Sequence, residues 1–148
     1  MERLGFEKNR RIVKQYNNIR EVCEIGGKRC HFRSRLEKRV AEYLELLKVS
    51  GIIKDWDYEF MNFKFPDDSW LIDFTVREND NEIYHLEVKG HFEARDRKKL
   101  KLLFKYFPQA RVLYVMQSRK DIAKMGLATK YLWWREPITV GELGRGLI

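Results

Sequence analysis

The tightest constraint on this chain is the order of four consecutive segments: two alternating runs, a basic amphipathic stretch and a short apolar run. Trp70 to Arg77 and Ile83 to Lys89 alternate apolar with polar side chains, and Glu78-Asn79-Asp80-Asn81-Glu82 between them is rich in turn formers. The pair therefore predicts an antiparallel hairpin. From about Arg95 to Phe107, Leu100, Leu103, Phe104 and Phe107 recur on one helical face, with Arg95, Arg97, Lys98, Lys99, Lys101 and Lys105 largely on the other, and Pro108 stops the helix. Arg111 to Val115 then reads as a buried strand. It is reached through a helical crossover, so it should run parallel to the strand before it. Strands that pair in both senses and helices between them predict an α/β fold with a mixed central sheet flanked by helices.

Upstream, Ser34-Arg35-Leu36-Glu37 has the form of a capping box, and Leu36, Val40, Tyr43, Leu44 and Leu47 follow on one face until Gly51. Asp55 to Phe60 alternates polar with aromatic residues as a half-buried strand does, and Phe63 and Phe65 continue the apolar set up to Pro66. Gly26-Gly27 marks a hairpin across Glu21 to Phe32 that sets Cys23 opposite Cys30. That position permits a disulfide, but a reducing compartment favours two small buried thiols. Met1 to Arg20 is basic, with Ile12, Val13, Tyr16 and Ile19 at near-helical spacing, and reads as a helix or an arm. Toward the end, Ser118 to Met125 suggests a short helix, and Thr139 with Glu142 caps a last one; whether Tyr131 to Trp134 is core or surface stays open.

With 148 residues, 44% hydrophobic and 14% aromatic, the chain can bury one substantial core, and it contains no run of the roughly 20 apolar residues a membrane span needs. The amino terminus is charged from its second residue, without the apolar run of a secretory signal, so the expected location is the cytoplasm. A net charge of +8 points to an acidic partner, of which nucleic acid is the commonest.

Chemistry concentrates on the hairpin. Ile83, His85, Glu87 and Lys89 share one strand face, and Asp73 lies on the side of Leu71, Thr75 and Arg77. A loop symmetric about Asp80 pairs residues whose numbers sum to about 160, which sets Asp73 opposite Glu87 with Cβ atoms roughly 5 Å apart. Two carboxylates so placed either share a divalent cation or form an edge pair neutralised by Lys89 or His85. Lys89 would sit beside a metal there, and hard carboxylate oxygens suit Mg²⁺ or Mn²⁺ better than zinc. Glu37 is accounted for by the capping box alone, and the cations of Arg95 to Lys105 by a solvated helix face or by a DNA-binding one.

The series Phe32-Arg33-Ser34-Arg35-Leu36-Glu37, Ile72-Asp73-Phe74, Glu87-Val88-Lys89-Gly90 and Asp96-Arg97-Lys98-Lys99 resembles the PD-(D/E)xK nuclease superfamily. Within that group it looks most like the phage-encoded endonuclease I family of Holliday junction resolvases, over roughly Phe32 to Val115; Trp134-Arg135-Glu136-Pro137 is also similar to that family's tail. The resemblance implies a restriction-endonuclease-like sheet and Mg²⁺-dependent, structure-selective DNA cutting, with Mn²⁺ able to substitute. It implies Asp73, Glu87, the Val88 carbonyl and Glu37 as metal ligands and Lys89 as the catalytic lysine. Arg33, Arg35, Arg95, Arg97, Lys98, Lys99 and Lys101 would hold DNA phosphates, with a four-way junction as substrate and a homodimer as the acting form, in a host cytoplasm if phage-encoded. Residues 32–148 would be the nuclease domain, and 1–31 an arm and hairpin for dimer or DNA contacts. Two features depart from the pattern: Ile72 stands where a proline usually precedes the motif aspartate, and the first 31 residues have no counterpart. A transposon-end or restriction-type nuclease of the same fold, and a non-catalytic DNA-binding protein, are the alternatives.

Overall fold

The computed structural model describes residues 21–146. The expected helix or arm over Met1 to Arg20 lies outside the described residues. The chain opens with the hairpin β1 (Glu21–Ile25) and β2 (Lys28–Phe32), turned by Gly26 and Gly27 at φ 60° and 78°, a left-handed geometry that glycine adopts without steric cost. Cys23 pairs across the ladder with Cys30, and the two form no disulfide; Cys30 is fully buried.

Helix α1 (Arg35–Val49) follows. Ser34 caps it by accepting the Glu37 N–H, but Glu37 reaches back to the Arg33 N–H instead of completing the reciprocal box. Val40, Ala41, Leu44 and Leu47 form its buried stripe. The central sheet has the order β3 (Asp55–Tyr58), β6 (Phe74–Arg77), β7 (Ile83–Lys89), β8 (Val112–Met116) and β9 (Ile138–Thr139). It is mixed: β3, β6 and β7 pair antiparallel, whereas β7, β8 and β9 pair parallel, with α2 (Ala94–Tyr106) as the crossover from β7 to β8. Helices flank this sheet, an arrangement compatible with a restriction-endonuclease-like fold.

Both sheet faces are covered. The stripe of α1 packs against Phe74, Val76, Tyr84, Leu86, Val88, Leu113 and Val115, while Leu100 and Leu103 of α2 pack on the opposite face with Trp70, Val112, Tyr114 and Met116. In β7, therefore, His85 and Glu87 are as buried as the apolar residues between them, because a central strand has no solvent side. Phe104 and Phe107, expected inward on α2, are instead 45% and 36% exposed. Leu100 and Leu103 are the two apolar side chains of α2 that the core buries.

The larger correction concerns Trp70 to Arg77, which is not one strand. Asp55 to Arg77 forms a long hairpin interrupted midway: Tyr58 pairs with Phe74, but Asn62 with Leu71, so residues 59–61 face only residues 72–73. The extra residue is a β-bulge, with Glu59 at φ 49°. Beyond it β4 (Asn62–Lys64) and β5 (Ser69–Leu71) form their own ribbon. Ile72 and Asp73 leave the strand at this break, and the faces differ across it: Trp70 and Ile72 enter the α2-side core while Phe74 and Val76 enter the α1-side core. Asp73 sits at the crossing.

The remaining elements are α3 (Arg119–Lys124), capped by Ser118, a 3₁₀ segment over Gly126–Tyr131, another over Val140–Glu142, and α4 (Leu143–Gly146). Thr139 and Glu142 make the expected reciprocal box. Within Tyr131 to Trp134, Leu132 is buried, Trp134 lies against Tyr84, and Trp133 is half exposed. Among the described residues no helix is long and apolar enough to cross a membrane.

Candidate active site

The register of β6 and β7, Phe74 with Leu86 and Thr75 with His85, keeps the sum of 160 and brings Asp73 beside the end of β7. The bulge turns Asp73 out of the ladder, and its Oδ2 accepts the Val88 N–H at 2.8 Å. Glu87, on the α2 face, accepts from Trp70 Nε1 at 2.9 Å. Both carboxyls are 5% exposed. Each acid acts on the other, Glu87 favouring the charged form of Asp73 and Asp73 the protonated form of Glu87.

Burial, and then the Glu37 charge, pushes the Asp73 carboxyl up to about 7. Burial, and then the Asp73 charge, pushes Glu87 well above the ordinary carboxylate range. Two buried acids that resist joint ionisation are a poor structural device, since removing a charge from water is costly unless a countercharge repays it.

Lys89 supplies part of that countercharge. Its Nζ lies 3.9 Å from Glu87 Oε1 and 3.0 Å from Asp96 Oδ1. Burial opposes the ammonium, but Glu87, Asp96 and Asp73 outweigh it, and the Lys89 pKa is raised. Lys89 is therefore a held cation, suited to neutralising a phosphate rather than to taking a proton.

Asp96 carried no role in the sequence, although an acid in the first turn of so basic a helix was a signal. It is buried, its Oδ2 accepts the Glu93 N–H at 2.9 Å as half of a capping box, and its other oxygen holds Lys89. Trp70 was likewise read only as core. Asp96→Asn is expected to slow turnover roughly tenfold, the size of effect seen when a supporting contact to a catalytic group is lost. Substrate affinity should hold, because Asn can keep the cap; a fall in affinity equal to the fall in rate would contradict this role.

Glu37 stands in the first turn of α1 with its Oε2 on the Arg33 N–H at 2.7 Å; burial raises its pKa, and its charge is felt at Asp73. Among the described residues no three His, Cys, Asp or Glu side chains gather closely enough to cage a metal ion. The close set is Asp73, Glu87 and Lys89. On the same sheet face, Tyr114 pairs in register with Glu87, and its buried hydroxyl has no hydrogen-bond partner. Mg²⁺ is held by one or two carboxylates and keeps several waters. Two acids needing a countercharge beside an unpartnered hydroxyl fit that requirement, with the Val88 carbonyl adjacent.

The predicted DNA-binding cations fall in two groups. Arg33 and Arg35 are exposed at the start of α1, Arg33 paired to Glu59 at the bulge at 2.7 Å. Arg95, Arg97, Lys98 and Lys101 are exposed on α2, Lys99 is half buried, and Arg95 pairs with Glu93 at 3.0 Å. The acids thus lie between the beginnings of two cationic helices.

No protein-family model matches this chain, and no curated protein sequence matches it.

Proposed function

We propose that this chain is a Mg²⁺-dependent, structure-selective DNA endonuclease of the PD-(D/E)xK type, most simply a resolvase of four-way junctions. The observation that carries this reading is the buried pair Asp73 and Glu87, with Lys89 against Glu87, at the foot of a helix bearing Arg95, Arg97, Lys98 and Lys101. Asp73, Glu87 and the Val88 carbonyl would hold Mg²⁺, with Glu37 nearby. When bound, the metal supplies charge neutralisation at the phosphate and a lowered pKa for water. Asp73 is oriented by the Val88 N–H and Glu87 by Trp70, so both present their oxygens without reorganisation. Lys89, fixed by Asp96, sets a positive charge where negative charge develops on the scissile phosphate. The cations of α1 and α2 grip flanking phosphates, a contact that fixes position but not sequence and weakens as salt rises.

The test is incubation of the full chain with a four-way DNA junction, a flap and a plain duplex, with and without Mg²⁺. Cutting of the junction only with Mg²⁺, and in preference to duplex, is expected; cutting of duplex and junction alike would point to the transposon-end or restriction-type alternative. The exposed cations of α1 and α2 also fit a second reading, a non-catalytic DNA-binding protein. It predicts binding indifferent to Mg²⁺ and no cleavage of any substrate.

A further inference from the structure

Beyond the carboxylates, a half-open pocket of about 210 Å³ lies between α2 and the 3₁₀ segment, lined by Arg97, Lys101, Leu127, Lys130 and Tyr131. The segment is pinned from below by Met125, Ala128 and Leu132, all buried in the α2-side core. With three residues per turn, that pinning holds Lys130 and Tyr131 at the pocket. Lys101 and Lys130 place their ammonium groups 6.0 and 5.1 Å from the Tyr131 ring, and Phe104 meets the same ring edge-on at 6.0 Å. Leu127 is 77% exposed.

Three cations alone would suit any stretch of phosphate backbone. A leucine left in water beside an aromatic ring, in the middle of those cations, suits something that has an apolar face as well as a negative charge. A paired nucleotide offers only its phosphate outward, whereas an unpaired one offers its base face too. Arg97 directly follows Asp96, the partner of Lys89, and Lys101 lies about 6 Å beyond Arg97 along the helix axis at 1.5 Å per residue. The pocket thus begins one residue along α2 from the acid that holds Lys89.

We infer that this pocket receives one unpaired nucleotide of a branched DNA, its base against Tyr131 and Leu127 and its phosphate on Arg97, Lys101 and Lys130. The inference rests on the proposed DNA-binding role and adds to it a site for branched DNA that carries an unpaired nucleotide, such as a flap. It assigns a role to Lys130, Leu127 and Tyr131, none of which the cation pattern of α2 alone singles out.

The test is binding without cutting, by fluorescence anisotropy in EDTA, using a duplex and the same duplex carrying a single-nucleotide flap. Tyr131→Ala is expected to weaken flap binding about tenfold or more, the loss typical of one stacked base, and duplex binding by less than about twofold. Leu127→Ser serves as the second variant, because a side chain so exposed can change without disturbing the core or the local charge, and it should discriminate in the same sense. Equal losses on both DNAs, or no loss on either, overturn the pocket while leaving the nuclease reading standing. Failure of the unaltered protein to bind any DNA overturns both.

Discussion

Glu87→Gln is expected to reduce Mg²⁺-dependent cutting of a four-way junction by at least about 10³-fold, while junction affinity stays within about twofold. The large effect comes from removing a charge that would act at the point where charge develops in the reaction, a change typically worth about 10² to 10³ for a single donor and more for a metal ligand. The small effect comes from geometry. Gln retains an acceptor for Trp70 Nε1 and nearly the same volume in a site that is 5% exposed, so the fold should not change. Gel-shift titration in EDTA measures the affinity, and single-turnover cleavage measures the rate. A variant that cuts as fast as the original protein removes Glu87 from the chemistry, and one that loses binding and cutting together makes it structural.

Asp73→Asn is expected to raise the melting temperature at pH 8, without divalent metal, by about 9–15 °C, taking about 3–5 kcal/mol as the cost of one poorly compensated buried carboxylate and about 3 °C per kcal/mol for a chain of this size. At pH 4 the gain should vanish. The sign follows from proton binding. The folded Asp73 carboxyl is held up to about 7 against an ordinary value of 3.8, so between these limits the folded state binds more protons than the unfolded state. Its contribution is fully present below about pH 4 and is lost as pH rises through about 7. Asn cannot titrate and still accepts the Val88 N–H, so the variant keeps what the native acid loses. His85 works in the opposite sense: burial holds it down to about 4, so its contribution is present above about 6.5 and lost as pH falls. Comparing the variant with the native protein across pH cancels the histidine. Saturating Mg²⁺ should raise the melting temperature of the native protein at pH 8 and leave Asp73→Asn unmoved, since a ligand stabilises only the state that binds it. Calorimetry showing the same variant-to-native difference at pH 4 and pH 8 would rule out a buried, uncompensated Asp73.

Asp73 and Glu87 are buried at the expense of stability, a cost that the proposed catalysis would explain. The surroundings are arranged to tolerate them: Trp70 and the Val88 N–H each satisfy one acid, and Asp96 keeps Lys89 charged in a partly buried position. An ordinary surface pair would need none of these supports.

The local part of this architecture was legible from residue order. Ser34, Gly26-Gly27 and the Asn-Asp turn act within a few residues of themselves, so they determine where α1 starts, how the first hairpin turns and in what register β6 and β7 pair. The register is what brings Asp73 to Glu87, and alternation about Asp80 contains it. Only the tertiary structure decided the rest. No local preference of Glu59-Phe60-Met61 requires a bulge there. It arises because two cores, one on each sheet face, must both be filled from a single hairpin, and the break there lets Trp70 and Ile72 go to one core while Phe74 and Val76 go to the other. The same cause hid Asp96 and the Tyr131 pocket. Each depends on a partner brought from another element, Lys89 in one case and α2 in the other, and a contact between distant segments exists only once both cores have packed.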